Sequence, residues 1–174
     1  MASLIATLVR SAFGSRPELV CEAAIWNAGI AELRKRSGKR RESGAFLLGS
    51  LGGTRRIEEF VFYDDVDPGA LDTGIVKIDG RRLGVLWEHC RATGRTVVAD
   101  VHLHPGGFQQ SASDQANPII AEVGHMALII PHFACREVFP GAIGVYEYLG
   151  ARRWRDRSYE NPSPLHIGWW PTWR

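Results

Sequence analysis

The stretch ADVHLHPGGFQQSASDQ, Ala99 to Gln115, closes an apolar run with two histidines, then sets a serine and an aspartate three residues apart. Thr96 to Leu103 (TVVADVHL) is rich in β-branched residues and predicts a strand. Residues i and i+2 of a strand point to one face, so His102 and His104 present both imidazoles together at its C-terminal end. Pro105 cannot continue a central strand, and Gly106 and Gly107 permit a tight turn out of the sheet. Asp114 follows far enough on for a loop to bring a carboxylate back. Two neutral imidazoles and a carboxylate, with water in the fourth position, make the donor set of a catalytic zinc site, and zinc lowers the pKa of its water to about 7. Ser111-x-x-Asp114 also has the form of a capping box, with Ser111 as cap and Asp114 in the first turn of a helix. A cap at Ser111 would itself hold Asp114 where a ligand must sit. The spacing alone leaves a metal site and an ordinary capped helix both open.

Outward from this stretch, helices and strands mix. Leu19 to Arg36 has apolar residues at 3–4 spacing (Val20, Ala23, Ala24, Trp26, Ile30, Leu33) and predicts an amphipathic helix opening after Pro17 with a basic C-terminal end. Gly44 to Leu51 and Ile57 to Tyr63 predict strands joined by the turn SLGGTRR. Asp64 to Asp79 is rich in Asp, Gly and Pro and reads as a loop. Arg81 to Ala92 predicts a helix stopped by Gly94. Because Pro118 would break a helix running on from Ala112, the reading is a short turn there and a helix over Pro118 to Val123, capped by Asn117. His125 to Ile130, Ala142 to Leu149 and a stretch around Arg152 to Arg155 complete the strands. The order implies an α+β (α/β-like) fold, a mixed β-sheet flanked by helices.

With 174 residues the chain suits one domain. Net charge is +2, so the overall balance points to neither nucleic acid nor a membrane surface. The basic residues cluster, however: RKRSGKRR at Arg34 to Arg41 and RRWRDR at Arg152 to Arg157 read either as solvated ends or as a handle for an acidic partner or a carboxylate-bearing chain end. Cys21, Cys90 and Cys135 form no CxxC pair, and their odd number fits a reducing compartment, hence a cytoplasmic expectation. No signal peptide or long apolar span is legible.

HxHP…SxxD resembles the signature of the JAMM, or MPN-plus, zinc metalloproteases. The pattern E-x-G-x-x-L-x-G of that family is matched by Glu42-Ser43-Gly44-Ala45-Phe46-Leu47-Leu48-Gly49. The resemblance covers about residues 18 to 150. It implies a single cytidine-deaminase-like MPN domain, with His102, His104 and Asp114 as ligands of one Zn2+, Glu42 as general base and Ser111 stabilising the oxyanion. The loop between His104 and Asp114, Pro105 to Ser113, is one residue shorter than usual in the family, which makes Ser113 the second candidate hydroxyl. By organisation, residues 1–17 are an N-terminal extension, 18–157 the JAMM-like domain and 158–174 a Trp- and Pro-rich tail.

The resemblance further implies a metallopeptidase (an isopeptidase resembling deubiquitinases) that cuts after the C-terminus of a ubiquitin-like protein, in a bacterial setting alongside E1-like and E2-like enzymes in conjugation or antiviral defence. Release of an amino acid or small adduct from a sulfur-carrier protein is the second reading, and a non-catalytic MPN scaffold the third. His89 reads as a surface residue, His125 and His132 as candidates to lie beside the zinc, and Cys135 as a structural thiol. The tail containing His166 reads as folding back onto an apolar surface or as a docking segment.

Overall fold

A computed structural model describes residues 17–169; most of the N-terminal extension, and Trp170 and Trp173 of the tail, lie outside the described residues. The elements are β1 (Leu19–Cys21), α1 (Ala23–Ser37), β2 (Gly44–Ser50), β3 (Arg55–Phe62), a one-turn α2 (Tyr63–Val66), α3 (Leu83–Thr93), β4 (Thr96–Leu103), α4 (Ala112–Ala116), β5 (Met126–Ile130), β6 (Gly144–Tyr148), β7 (Trp154–Asp156) and β8 (Leu165–Ile167). The strands form one mixed sheet in the order β7-β6-β5-β4-β2-β3-β1-β8. β4 runs parallel to β5, and β1 runs parallel to both β3 and β8. The other neighbours are antiparallel.

Alternation along β2 assigns each residue to one of two cores. Ala45 and Leu47 join Trp26, Ile30 and Leu33 of α1 on one face of the sheet. Phe46 and Leu48 join Leu86 and Cys90 of α3, with Tyr63, Val66, Ala70 and Leu71, on the other. Covering both faces explains the unbroken apolar run of β2, whose residues 45 to 48 are fully buried. α1 and α3 end as the sequence suggests, with Gly38 and Gly94 in the left-handed conformation at their C-caps.

Two expectations are corrected. Leu19 to Cys21 is a strand and not the first turn of a helix, since three consecutive buried residues flanked by β3 and β8 gain more from pairing than from a helical stripe. Residues 118–123 form no helix; the helix is α4, before the proline, with Asn117 closing it. The Ser111 capping box nucleates that turn, and the ring of Pro118 disfavours helical backbone at Asn117. The stretch 64–79 includes the last three residues of α2 and buries Ala70 and Leu71, so it builds part of the second core. Within the tail, β8 extends the sheet beyond β1, whereas Trp169 is 82% exposed. Among the described residues no helix is long and apolar enough to cross a membrane.

Gly44 matters most for the site. It lies opposite His102 in the β2–β4 pair, and a Cβ there would run into the ring of Tyr63 and come within 2.8 Å of the Val101 carbonyl. Gly44→Ala is therefore expected to destabilise the protein by about 1–3 kcal/mol. A thermal melt should register this as a fall in Tm of at least about 2 °C. An unchanged Tm would mean that Tyr63 moves aside freely.

Candidate metal centre

His102 and His104 lie at the C-terminal end of β4 on the face that also bears Asp100, because Val101 and Leu103 between them point into the α1 core. Both rings are buried. Their Nε2 atoms stand 3.0 Å apart, and Asp114 brings Oδ2 to 3.2 Å from His104 Nε2 and Oδ1 to 3.7 Å from His102 Nε2. Zinc bonds of about 2.0–2.1 Å in a tetrahedral array require donors roughly 3.3 Å apart. The donor set fits such an ion, and among the described residues this is the one group of three or more His, Cys, Asp or Glu side chains that could hold a metal.

The local sequence explains how Asp114 arrives. Pro105 and the two glycines carry the chain out of the sheet, and the capping box then fixes α4. Ser111 N–H donates to Asp114 Oδ2 at 2.7 Å, and Asp114 N–H donates to Ser111 Oγ at 3.1 Å. One motif thus caps the helix and aims the Asp114 carboxylate at the two histidines. α4 buries none of its own residues, so its hold on the body comes from neighbours. The Trp154 indole donates to the Gln115 carbonyl at 3.3 Å, and the Tyr146 hydroxyl donates to the Phe108 carbonyl at 3.1 Å.

Burial opposes ionisation of Asp114, but hydrogen bonds from His102 and His104 outweigh it and hold the carboxyl far below the usual carboxylate range. Burial likewise works against a charged His102, yet the hydrogen bond and charge of Asp114, with smaller contributions from Asp100 and Glu42, raise the ring's pKa above its ordinary value.

Glu42 lies just before β2. The Ser43 carbonyl accepts from Leu103 N–H at 2.8 Å, and the register continued one residue sets Glu42 opposite His104. Its Oε2 accepts from Val76 N–H at 3.2 Å, and its own N–H donates to the Gly74 carbonyl at 2.9 Å, so the 64–79 segment is fastened to it. Glu42 stands outside the three-residue cluster while its charge acts on His102. Ser111 is exposed with its oxygen engaged by the cap, whereas Ser113 lines the recess beside His102 and Asp114.

A buried network behind the histidines escaped the sequence reading. Asp100 accepts from the Tyr63 hydroxyl at 2.9 Å through Oδ2 and meets His125 Nε2 at 2.6 Å through Oδ1. Burial, then the Asp100 charge, pushes the Tyr63 pKa well up, so Tyr63 stays a donor. The signal was present in Asp100-x-His102-x-His104, polar residues at every second position of a buried strand. His125 is thus bonded to Asp100. His132 sits in a turn of residues 132–134, all at positive φ, in which the His132 and Phe133 amides donate to the Gly106 and His104 carbonyls. His89 pairs with Glu59 at 2.9 Å, away from the cluster. Cys135 is exposed.

No protein-family model matches the chain. Over 110 residues it is 27% identical to a protein of Sinorhizobium fredii named probable metalloprotease y4jG, an alignment spanning 60% of this chain and 67% of that one. The solution structure of protein DSY2949 from Desulfitobacterium hafniense superposes with a TM-score of 0.61 at 15% identity, covering 86% of this chain and 92% of that one. The second likeness is one of fold.

A raised His102 pKa makes metal binding compete with a proton. Below about pH 6.5 the ring is protonated both free and folded. Above that value the folded protein keeps the proton longer, and a metal must displace it. Zinc affinity is therefore expected to climb from pH 6 towards pH 8 with proton release, measured by chelator competition in several buffers. A flat profile would contradict the coupling to Asp114.

Proposed function

We propose that this protein is a zinc-dependent metallopeptidase that hydrolyses the peptide or isopeptide bond after the C-terminus of a ubiquitin-like protein. The observation that carries the reading is the convergence of the buried His102 and His104 with Asp114, within range of the Glu42 charge. The relative named a probable metalloprotease supports the peptidase class. The paired motifs around Glu42 and His102 support the JAMM type, and with it the ubiquitin-like substrate. A His-His-Asp donor set with a carboxylate at Glu42 favours a catalytic protein over a purely non-catalytic scaffold.

Zinc, when bound, supplies a Lewis acid for the scissile carbonyl and makes the attacking water more acidic. Glu42 takes the proton that this water gives up. Val76 N–H occupies Oε2, which leaves Oε1, without a donor among the described residues, for the transfer. As the new C–O bond forms and the C–N bond breaks, the same carboxyl delivers the proton to the amine nitrogen, which would otherwise be a poor leaving group. The Ser111 hydroxyl donates to the oxyanion that builds on the carbonyl, its own oxygen being held by the cap. Ser113 is the second hydroxyl within reach of the recess.

The surroundings suit an extended chain end. A hollow of about 540 Å³ lies between residues 75–80 and Ser113–Ile119, with apolar walls from Ile75, Val76, Ile78, Leu83 and Ile119. It shares Val76, Ser113, Asn117, Pro118 and Ile119 with a recess of about 50 Å³ at His102 and Asp114. The wide part accommodates side chains, and the narrow part favours the bare backbone of a glycine-ended tail.

The test is cleavage of a ubiquitin-like fusion by zinc-loaded protein. Glu42→Gln is expected to lower kcat by at least about 100-fold while zinc content stays that of the parent. Full activity in that variant would remove Glu42 from its role. If the fusion survives and a cysteine adduct on a sulfur carrier's C-terminus is released, the substrate is the carrier. Ser111→Ala is expected to lower kcat by about 10²–10³ with little change in KM and with zinc content that of the parent, because its oxygen also caps the helix bearing Asp114; if Ser113→Ala does so instead, the oxyanion donor is Ser113.

A further inference from the structure

The run RKRSGKRR is not electrostatically uniform in the folded protein. Arg36 is fully engaged: it binds Glu32, Asp64 and Asp65 at 2.7–3.0 Å and stacks 4.2 Å over the Phe62 ring. Lys35 reaches Glu32 at 3.3 Å, and Arg41 donates to the Arg36 carbonyl. Arg34, Lys39 and Arg40 are exposed, and among the described residues no acidic group pairs with them.

Arg34 has a counterpart from another part of the chain. The segment after β5 carries Arg136 to the outer side of α1, where Arg34 and Arg136 line a hollow of about 450 Å³. Arg136 too is exposed and without a carboxylate partner among the described residues. Ile30, Val138 and Phe139 give this hollow an apolar floor, and Phe139 is 52% exposed. The volume is in the range of sites that take several side chains. It lies on the α1 face of the sheet, opposite the face that bears the histidines.

We propose that this hollow is a docking site, separate from the metal centre, for an acidic polypeptide segment with apolar or aromatic side chains. Guanidinium forks from Arg34 and Arg136 bind carboxylates in bidentate fashion, and an apolar side chain between those carboxylates fills the floor over Ile30, Val138 and Phe139. A phosphodiester strand fits less well. It needs a continuous stripe of cations, and this hollow instead has two arginines around an apolar floor, with Glu137 on its wall.

The test reads binding alone, so an inactive peptidase would leave it intact. A fluorescein-labelled peptide of repeated Glu-Glu-Phe is titrated with the full-length protein at low ionic strength, followed by anisotropy. It is expected to bind, to lose at least about tenfold in affinity at high salt, and to lose the same again in Arg34→Glu/Arg136→Glu. Phe139→Ala is expected to weaken binding, and the matching Gln-Gln-Phe peptide is expected not to bind. Arg34→Gln/Arg136→Gln, with an unchanged thermal melt, serves if the charge reversal disturbs folding. Equal binding by the arginine variants, no binding at all, or tighter binding of an RNA oligonucleotide through the same residues would overturn the proposal.

Discussion

Gly44 faces His102 across the central strand pair, and the arrangement of the site depends on that pairing. With no side chain at Gly44, the Tyr63 ring lies flush against β2 and its hydroxyl reaches Asp100. Asp100 in turn meets His125, which immediately precedes β5. The polar face of β4 is thereby tied to elements on both sides of it. Shifting the register by one residue would turn both histidines into the apolar α1 core.

Three carboxylates around these histidines occupy three different environments. Asp100 is buried and has both oxygens bonded, so it serves as a fixed brace. Asp114 sits on a short exposed helix, and the imidazoles keep it ionised. Glu42 has one oxygen held by Val76, and among the described residues none donates to the other. Placing similar groups in dissimilar surroundings is how a protein gives residues of one chemical type different properties.

Much of this was legible in the sequence. β2, β3 and β4 announce themselves as apolar or β-branched runs, and α3 by its periodicity and Gly94. The histidine pair needed only the two-residue repeat of a strand. What stayed hidden has physical causes. β1 and β8 have three residues each, too few for any period, and exist because partners distant in sequence complete them. Pro118 drew the helix to its own side, whereas a capping box of two hydrogen bonds settled it upstream. The Asp- and Gly-rich composition of residues 64–79 concealed Ala70 and Leu71 inside a core. The Asp100–Tyr63–His125 network joins three separate segments, and no local pattern encodes that.

The far flank of the sheet closes late in the chain. Leu19 pairs with both Arg55 and Leu165, and Glu18 binds Arg157 at 2.6 Å. A ribosome must therefore have released nearly all of the described chain before β1 acquires its second neighbour, while β2, β4 and β5 can assemble earlier. During synthesis β1 has an open edge, the condition under which nascent chains pair with one another or recruit chaperones. β4, which holds His102, lies at the centre of the sheet and is among the strands least exposed to that hazard.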